Sequence, residues 1–315
     1  MRSQAFGLAA AIGLPVAEKR IALRPPWSWL PGGFLPMPLS ALDASGDPLT
    51  PPWPRLVVSC GRRSVGPALA VKRLSGGRTI AAHVQNPGGG SGKFDLVVAM
   101  AHDGIRGPNV VLVRTALHHI TQARLAAARI EWQPRLGADG APLLGVLVGG
   151  DNRSYRLTES VTERLVRILR SAHAKHGMKA AVTPSRRTGE AAERMLAEAL
   201  SQAAWGTFWG EAEPNPYLGI LALAERLIVT SESISMISEA LAAGRPVHVL
   251  PLEGHGRRHS AFLQELAADR LVSVIEGDDL DWSFAGQEPI DATAETAAQI
   301  REMLDRKPQP AAGPG

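Results

Sequence analysis

The chain has 315 residues, of which 45% are hydrophobic and 5% aromatic, and its formal net charge is +4. This length and apolar content predict two ordinary domains, each with its own core. The single cysteine, Cys60, excludes an internal disulfide framework and is typical of a reducing compartment. No stretch reaches the roughly 18 apolar residues of a membrane span, and the opening stretch is too short and polar for a signal peptide, so we expect a cytoplasmic protein.

Positive charge is concentrated in the first part of the chain. Residues 1–140 hold 16 Lys and Arg against 7 Asp and Glu, whereas residues 141–315 hold 18 against 23. Such asymmetry is typical of an anionic partner, such as a phosphorylated ligand or an acidic membrane surface, although an ordinary solvated surface also explains it. Nucleic acid is disfavoured, because the basic residues do not alternate with aromatic residues as they do on nucleic-acid-binding faces.

Residues 1–138 show a weak alternation of predicted strands and helices. Buried strands are predicted within 54–61, 93–104 and 109–117, and the stretch SVGPALAVKRLS after the first of them is predicted to be a helix. We expect these residues to form one Rossmann-like domain.

A segment rich in proline and tryptophan interrupts this first domain. Residues 25–54 contain nine prolines and three tryptophans, a density that excludes a regular helix or a central strand. One interpretation is an ordered loop whose tryptophans fill gaps beneath it. The other is an apolar surface patch, including Trp27 and Trp29, that makes a peripheral contact with a partner or with the inner face of a membrane.

Residues 139–285 alternate strand and helix regularly. The predicted strands are PLLGVLVGG (142–150), MKAAVTPS, WGTFW, RLIVT and PVHVL, and the helix predicted over 157–177 has Thr158 as its N-cap and Gly177 as its stop. This rhythm predicts a doubly wound parallel sheet, and therefore a second Rossmann-like domain. Residues 286–315 are predicted to form a helix that packs back on the first domain, followed by a disordered tail.

The sequence does not match several familiar signatures of binding sites. PGGGSGKF (87–94) resembles a phosphate-binding loop, but Pro87 and Phe94 occupy positions that need a glycine and a hydroxyl, so we predict a tight turn there. His255 and His259 are four residues apart, yet no further Cys or His follows at zinc-site spacing. We therefore expect no metal and no organic cofactor.

Glycines and polar residues follow three predicted strands of the second domain. Glycines let a backbone approach a ligand, arginines donate charge-assisted hydrogen bonds to phosphate oxygens, and a helix N-terminus with hydroxyls suits an anion. A carboxylate further along the last helix can accept from ribose hydroxyls. The candidate nucleotide-binding residues are Gly149, Gly150, Asn152, Arg186, Arg187, Ser231, Ser233, Ser235 and Glu239.

Each of these residues also has a plain structural interpretation. Ser231 or Ser233 could be an N-cap, Glu239 a surface residue, and SRRT (185–188) a basic turn. However, parallel strands place their carboxyl ends at one edge of a sheet, which is where open α/β sheets bind ligands. The convergence of all three groups therefore predicts a pocket for a nucleoside diphosphate.

The stretch AERLIVTSESISMISEALAAGRPVHVLPLEG (224–254) resembles the donor-binding signature of two-domain GT-B glycosyltransferases, notably the N-acetylglucosaminyl transferase of peptidoglycan synthesis. The resemblance implies that Glu239 binds the ribose and that Gly244 and Pro246 form a turn. It also implies an α/β fold of two Rossmann-like doubly wound domains facing a cleft, with the acceptor side on the first domain and the nucleotide-sugar on the second.

Motifs along nearly the whole chain are similar to the Elm-type mitochondrial fission protein family. They include GLAAAIG, RPPWSWLP, VVSCGRRSVGPAL, FDLVVAMAHDG, GGDNRSYR, TPSRRT and NPYLGILALAERLIVTSESISMISEA. Bacterial members of that family are described as glycosyltransferases or nucleotide-sugar epimerases. The family opens with a strand and a glycine-rich loop before its first helix, but only three residues precede Gln4 here, so we expect the first strand to be missing.

The leading hypothesis is a metal-independent GT-B glycosyltransferase that uses a nucleotide-sugar donor. The base that activates the acceptor is sought among residues that follow predicted strands of the first domain: His102, Asp103, His118 and His119. The alternative is a non-catalytic adaptor on the same scaffold, acting at a membrane or partner surface. A short-chain epimerase is disfavoured, because no GxGxxG opens a helix and neither tyrosine has a lysine four residues on.

Overall fold

The computed structural model describes residues 2–29, 39–137, 140–201, 205–210 and 214–307. The disordered end that we predict for the chain lies outside these residues. Two compact units are present: Met1–His119 together with Ala292–Gly315, and Ile120–Asp291. This division assigns residues 120–138 to the second unit, whereas the sequence suggested a boundary near residue 138.

The first unit contains a four-stranded parallel sheet. Its strands lie in the order β1, β2, β3, β4 and span Leu56–Cys60, Ile80–Val84, Leu96–Met100 and Val110–Val113. Every residue of β2 and β3 is buried, as expected for strands covered on both faces.

Helices cover both faces of this sheet. On one face, α1 (Arg2–Ile12) packs against α9 (Ala292–Arg306), and alternate residues of β2, namely Ile80, Ala82 and Val84, join the same core. On the other face lies α2 (Arg62–Leu74), which shares a smaller core with Ala81 and Val97. The alternation follows from the two-residue period of a strand.

The proline-rich segment contains no regular helix or strand in its described parts, residues 25–29 and 39–54, as predicted. It has single 3₁₀ turns at Trp27–Trp29 and Leu39–Ala41 and an isolated bridge between Leu23 and Leu42. The side chain of Trp29 is 77% exposed. The predicted turn in 87–94 is also confirmed, because Gly88, Gly89 and Gly90 all have positive φ.

The second unit contains a six-stranded parallel sheet in the order β12, β10, β9, β5, β7, β8. The strands span Leu143–Val148 (β5), Lys179–Pro184 (β7), Gly206–Phe208 (β8), Arg226–Thr230 (β9), Val247–Leu250 (β10) and Ser273–Val274 (β12). If these six strands are numbered 1 to 6 along the chain, their order in the sheet is 6-5-4-1-2-3, which is the strand order of dinucleotide-binding folds. The strand order reverses between β5 and β9, the position at which such sheets form a ligand-binding crevice.

Helices and one short ribbon complete the second unit. The helices are α3 (Gln122–Leu136), α4 (Glu159–His176), α5 (Glu190–Ser201), α6 (Tyr217–Leu223), α7 (Ile234–Ala242) and α8 (Arg257–Ala268). The ribbon pairs β6 (Tyr155–Arg156) with β11 (Glu253–Gly254) in antiparallel fashion. Both predicted ends of α4 are confirmed: Thr158 accepts from the Val161 amide, and Gly177 closes the helix in the left-handed region.

Residues of β5 point alternately to two helical layers. Leu144, Val146 and Val148 share a core with α4 and α5, whereas Gly145 faces α6, where a Cβ would collide with Ile220. Because α6 in turn packs against α3, residues 120–138 belong with the second unit. Within the described residues, no helix combines the length and apolar character needed to cross a membrane.

A buried histidine makes the second unit sensitive to acid. Burial, and then the charge of Arg226, lower the pKa of His248 on β10 from 6.5 to about 4. Below pH 6.5 the unfolded chain binds a proton that the folded chain does not, so stability falls as the pH decreases from 6.5 to about 4. We expect His248→Gln to reduce the difference in unfolding free energy between pH 7 and pH 5 by at most about 2 kcal/mol. Urea unfolding of the wild type and the variant at pH 7 and pH 5 measures this difference in unfolding free energy. His255→Gln, at an exposed histidine, is the control. If His248→Gln keeps the pH dependence of the wild type, His248 is not the group responsible.

Candidate functional site

Three loops meet at the carboxyl edge of the second unit's sheet. They follow β9, β5 and β7, which are neighbours in the sheet and pair in parallel, so their carboxyl ends lie at the same edge. These loops carry the glycines, the arginine pair and the serine-rich stretch singled out from the sequence. The strand-order reversal between β5 and β9 falls in the middle of this edge.

Glu232 joins the three loops, and sequence reasoning did not select it. Its Oε1 accepts from the Gly150 amide at 2.9 Å and from Arg187 Nη2 at 3.1 Å. Beside it, Thr230 Oγ1 accepts from the Gly149 amide at 2.8 Å. The Glu232 side chain is 0% exposed. Nothing in the pattern SES at 231–233 marks the middle residue as buried.

The two glycines serve the packing of the loops. A Cβ on Gly149 would overlap Glu232 Oε1, and one on Gly150 would overlap the Arg187 carbonyl oxygen. Both amides are used within the protein, and the next one, of Asp151, donates to the Arg187 carbonyl at 3.0 Å. We predicted that these glycines let a ligand approach the backbone; in this structure they let the loops approach one another.

Asn152 shapes the turn that follows. Its Oδ1 accepts from the amides of Ser154 and Tyr155 at 2.8 and 2.9 Å, and its own amide donates to the Tyr155 carbonyl at 3.1 Å. This turn directs the chain into β6 and the ribbon. The Asn152 side-chain oxygen is therefore occupied by the turn.

The arginine pair differs in its contacts. Arg186 is exposed and has no hydrogen bond or ion pair within the described ranges. Arg187 is 41% exposed at its side chain and is paired with the buried Glu232. Thr188 Oγ1 anchors the end of the loop by donating to the Gly149 carbonyl at 2.6 Å. The pair therefore offers cationic donors at the edge of the sheet.

The three predicted serines have separate roles. Ser231 is buried, and its Oγ accepts from the Leu252 amide at 3.0 Å, which ties the end of β9 to the loop after β10. Ser233 is the N-cap of α7 and accepts from the Met236 amide at 3.4 Å. Ser235 is exposed in the first turn of α7. Of the three, Ser235 is placed to meet a ligand without giving up a structural contact.

Glu239 is paired with a tyrosine. The Tyr217 hydroxyl, at the start of α6, donates to Glu239 Oε2. Burial raises the pKa of Glu239, while the Tyr217 hydrogen bond and the charge of Arg124 oppose that rise. Burial and the same carboxylate raise the pKa of Tyr217 well above 10. Tyr217 therefore orients the Glu239 carboxylate, a role the sequence did not suggest.

The ribbon adds further polar groups to this edge. Tyr155 Oη accepts from the Gly256 amide at 3.1 Å, and the α8 N-cap Gly256 has no side-chain cap. His255 Nδ1 lies 3.3 Å from Ser260 Oγ, and the His259 ring packs on Tyr155. The described residues contain no group of three or more His, Cys, Asp or Glu side chains arranged to hold a metal.

The predicted base candidates lie in the first unit. His102 and Asp103 follow β3 in a single 3₁₀ turn, in which Asp103 Oδ2 accepts from the Met100 amide at 3.1 Å. His118 is only 2% exposed, and its backbone exchanges hydrogen bonds with Thr293. His119 is half-buried. His102 and His119 are therefore better placed than His118 to meet a substrate.

The contact between Tyr217 and Glu239 predicts a pH-dependent loss of stability. Tyr217→Phe removes a donor to a carboxylate, which costs about 1–3 kcal/mol when the carboxylate is charged. Because burial raises the pKa of Glu239, the carboxylate begins to lose its charge at a higher pH than an ordinary carboxyl, so we expect a larger loss at pH 8 than at pH 5. Urea unfolding at both pH values measures this. Equal losses in Tyr217→Phe at the two pH values would contradict the raised pKa of Glu239.

Solved structures with a similar fold bind nucleotide-sugars. The UDP-GlcNAc 2-epimerase of Methanocaldococcus jannaschii matches with a TM-score of 0.52 and 16% identity, covering 80% of this chain and 77% of that one. The UDP-GlcNAc 2-epimerase of Neisseria meningitidis, bound to UDP-GlcNAc, matches with a TM-score of 0.50 and 13% identity, covering 80% and 76%. The chain thus has the Rossmann-like α/β fold of the GT-B class. The sequence argument against a short-chain epimerase does not apply to epimerases of this fold.

Sequence comparisons identify the family. The mitochondrial fission protein ELM1 of Arabidopsis thaliana is 28% identical over 281 residues, which cover 80% of this chain and 64% of that protein. The chain spans less than two thirds of the length of the curated relatives it matches. The family model described as Mitochondrial fission ELM1 matches residues 1–304. The chain therefore belongs to the mitochondrial fission ELM1 family.

Proposed function

We propose that the chain binds a nucleotide-sugar at the carboxyl edge of the second unit's sheet and transfers the sugar to an acceptor. The observation that carries this proposal is the junction of three loops at the strand-order reversal, held together by Glu232. This junction leaves Arg186 and the outer part of Arg187 at the surface. A pair of cations at this position, of which Arg187 is held by Glu232, suits the phosphates of a nucleoside diphosphate.

Separate groups would hold the parts of the donor. Arg186 and Arg187 supply charge-assisted donors for the two phosphates, and the start of α7 beside Ser235 favours negative charge. Glu239, oriented by Tyr217, accepts from the ribose hydroxyls. The Gly149 and Gly150 amides take no part, because both are bonded within the protein.

In the proposed transfer of the sugar, negative charge develops on the nucleoside diphosphate leaving group. When the bond between the anomeric carbon and the diphosphate oxygen breaks, the leaving group gains negative charge, which the two arginines stabilise without a metal. The acceptor oxygen forms the new bond to the anomeric carbon and loses its proton to a base. We propose His102 or His119 as that base, with Asp103 as a further candidate, and we rank buried His118 last.

Calorimetric titration with UDP-, GDP-, ADP- and CMP-sugars tests this proposal. We expect one nucleotide class to bind, and Arg186→Ala to weaken that binding about tenfold, through loss of one charge-assisted contact. Arg186 has no partner among the described residues, so its removal leaves the fold unchanged. Arg194→Ala, an exposed arginine of α5, is the matched control.

The product distinguishes the possible reactions. Release or transfer of the sugar supports a transferase, whereas recovery of an epimer of the donor supports a 2-epimerase such as the two solved structures. If folded protein binds no member of the panel, the nucleotide-sugar proposal is wrong.

A second candidate function is an adaptor that contacts a membrane or partner surface. It is favoured by the 77% exposure of Trp29, beside the half-buried Trp27, in a unit whose sequence is rich in Lys and Arg. An exposed tryptophan near cations is suited to the interface of an anionic bilayer.

Flotation with vesicles of phosphatidylcholine and phosphatidylglycerol tests the adaptor. We expect the protein to float with these vesicles, and the double substitution of Trp27 and Trp29 by Ser to reduce the floated fraction severalfold, because the aromatic anchors are lost. Ile130→Ser, at a residue that is 79% exposed in the second unit, is the matched control. Equal flotation of the double variant and the wild type would exclude these tryptophans as the anchor.

A further inference from the structure

A fully buried carboxylate lies directly behind a partly exposed arginine at the proposed phosphate site. The side chain of Glu232 is 0% exposed, and that of Arg187 is 41% exposed, with 3.1 Å between Oε1 and Nη2. The pair therefore runs from the interior of the second unit to its surface. Arg186, the next residue in the loop, has no such anchor within the described part of the chain.

Holding the loops together does not by itself require a charge. Thr230 ties the Gly149 amide to β9 with a neutral hydroxyl at 2.8 Å, and a neutral acceptor at position 232 could do the same for Gly150. A buried carboxylate is costly unless it is paired. Here the cost is increased, because Glu232 Oε2 is buried and has no hydrogen-bond partner among the described residues. Among the described residues, the cationic partner of this carboxylate is Arg187, which is therefore the group whose position the charge can control.

Among the described residues, the Arg187 guanidinium is held at only one of its nitrogens. A guanidinium has five N–H donors in a rigid plane, and the contact to Glu232 uses Nη2. Anchoring one corner of a planar group that is also tethered by its side chain restricts the directions in which its other donors point. Since the side chain is partly exposed, the remaining donors are available at the edge of the sheet.

We infer that Glu232 is a positioning residue, which holds the Arg187 guanidinium so that its remaining donors receive the phosphates of a nucleoside diphosphate. The inference rests on the proposed function and assigns one residue of that site. Glu232 itself touches no ligand, because it is completely buried. It therefore acts on phosphate binding through Arg187 and leaves the nucleoside contacts unaffected.

Calorimetry with UDP, uridine and inorganic pyrophosphate tests the role of Glu232 in binding. We expect Glu232→Gln to weaken UDP and pyrophosphate about tenfold and to leave uridine unchanged. In an Arg187→Ala background, Glu232→Gln should cause no further loss, because the two residues act as one unit. Glu253→Gln, an exposed residue of β11, makes the same change in charge and is the matched control. Equal weakening of UDP and uridine would show a structural role only and overturn the inference.

Chemical modification tests the positioning without any nucleotide. Phenylglyoxal reacts with guanidinium groups, and mass spectrometry of peptides separates the two neighbouring arginines. We expect Arg187 to react several times more slowly than Arg186 in the wild type, and Glu232→Gln to accelerate Arg187 alone. If Glu232→Gln does not fold, the relative modification rates of Arg186 and Arg187 in the wild type still test whether Arg187 is held.

These measurements separate failure of this inference from failure of the proposed function. Equal reactivity of Arg186 and Arg187 in the wild type, or no change at Arg187 in Glu232→Gln, overturns the positioning role whatever the protein binds. Slow reaction at Arg187, together with no binding of pyrophosphate or UDP, keeps the contact but removes its phosphate role toward UDP. The proposed function fails as well only if no member of the nucleotide-sugar panel binds.

Discussion

The second unit depends on one carboxylate oxygen, Glu232 Oε1, which accepts hydrogen bonds from two loops that are far apart along the chain. Loops that follow neighbouring parallel strands share an edge, but nothing in the sheet itself brings their backbones into contact. That contact requires glycine at 149 and 150, because a side chain at either position would occupy the space of Glu232 or of the Arg187 backbone. The glycines and the buried carboxylate are therefore parts of one arrangement.

This arrangement lies where the strand order reverses, between β5 and β9, and it determines which groups can meet a ligand. The backbone amides at the end of β5 are used internally, so the proposed anion recognition rests on side chains, chiefly Arg186 and Arg187. On the neighbouring helix α7, Glu239 is oriented by Tyr217. In the proposed function, the cations for the phosphates and the carboxylate for the sugar come from separate elements of the second unit.

Much of the fold could be predicted, because unbroken apolar runs such as PLLGVLV and RLIVT suit only buried parallel strands. Strand β2 was missed, since IAAHV contains two alanines and a histidine and lacks that signature. The sequence predicted which segments form the candidate site, but it could not predict the contacts of individual residues within it. Contacts between residues about 80 positions apart determine whether the Gly149 and Gly150 amides are already bonded. The same contacts determine that Glu232 is completely buried.

The most direct test of this account is a crystal structure of the protein soaked with UDP at saturating concentration. The account predicts density for the diphosphate within hydrogen-bond distance of Arg187, with the contact from Arg187 to Glu232 retained and the ribose hydroxyls against Glu239. A nucleotide bound elsewhere, or an empty carboxyl edge in crystals whose loops are accessible to solvent, would contradict it.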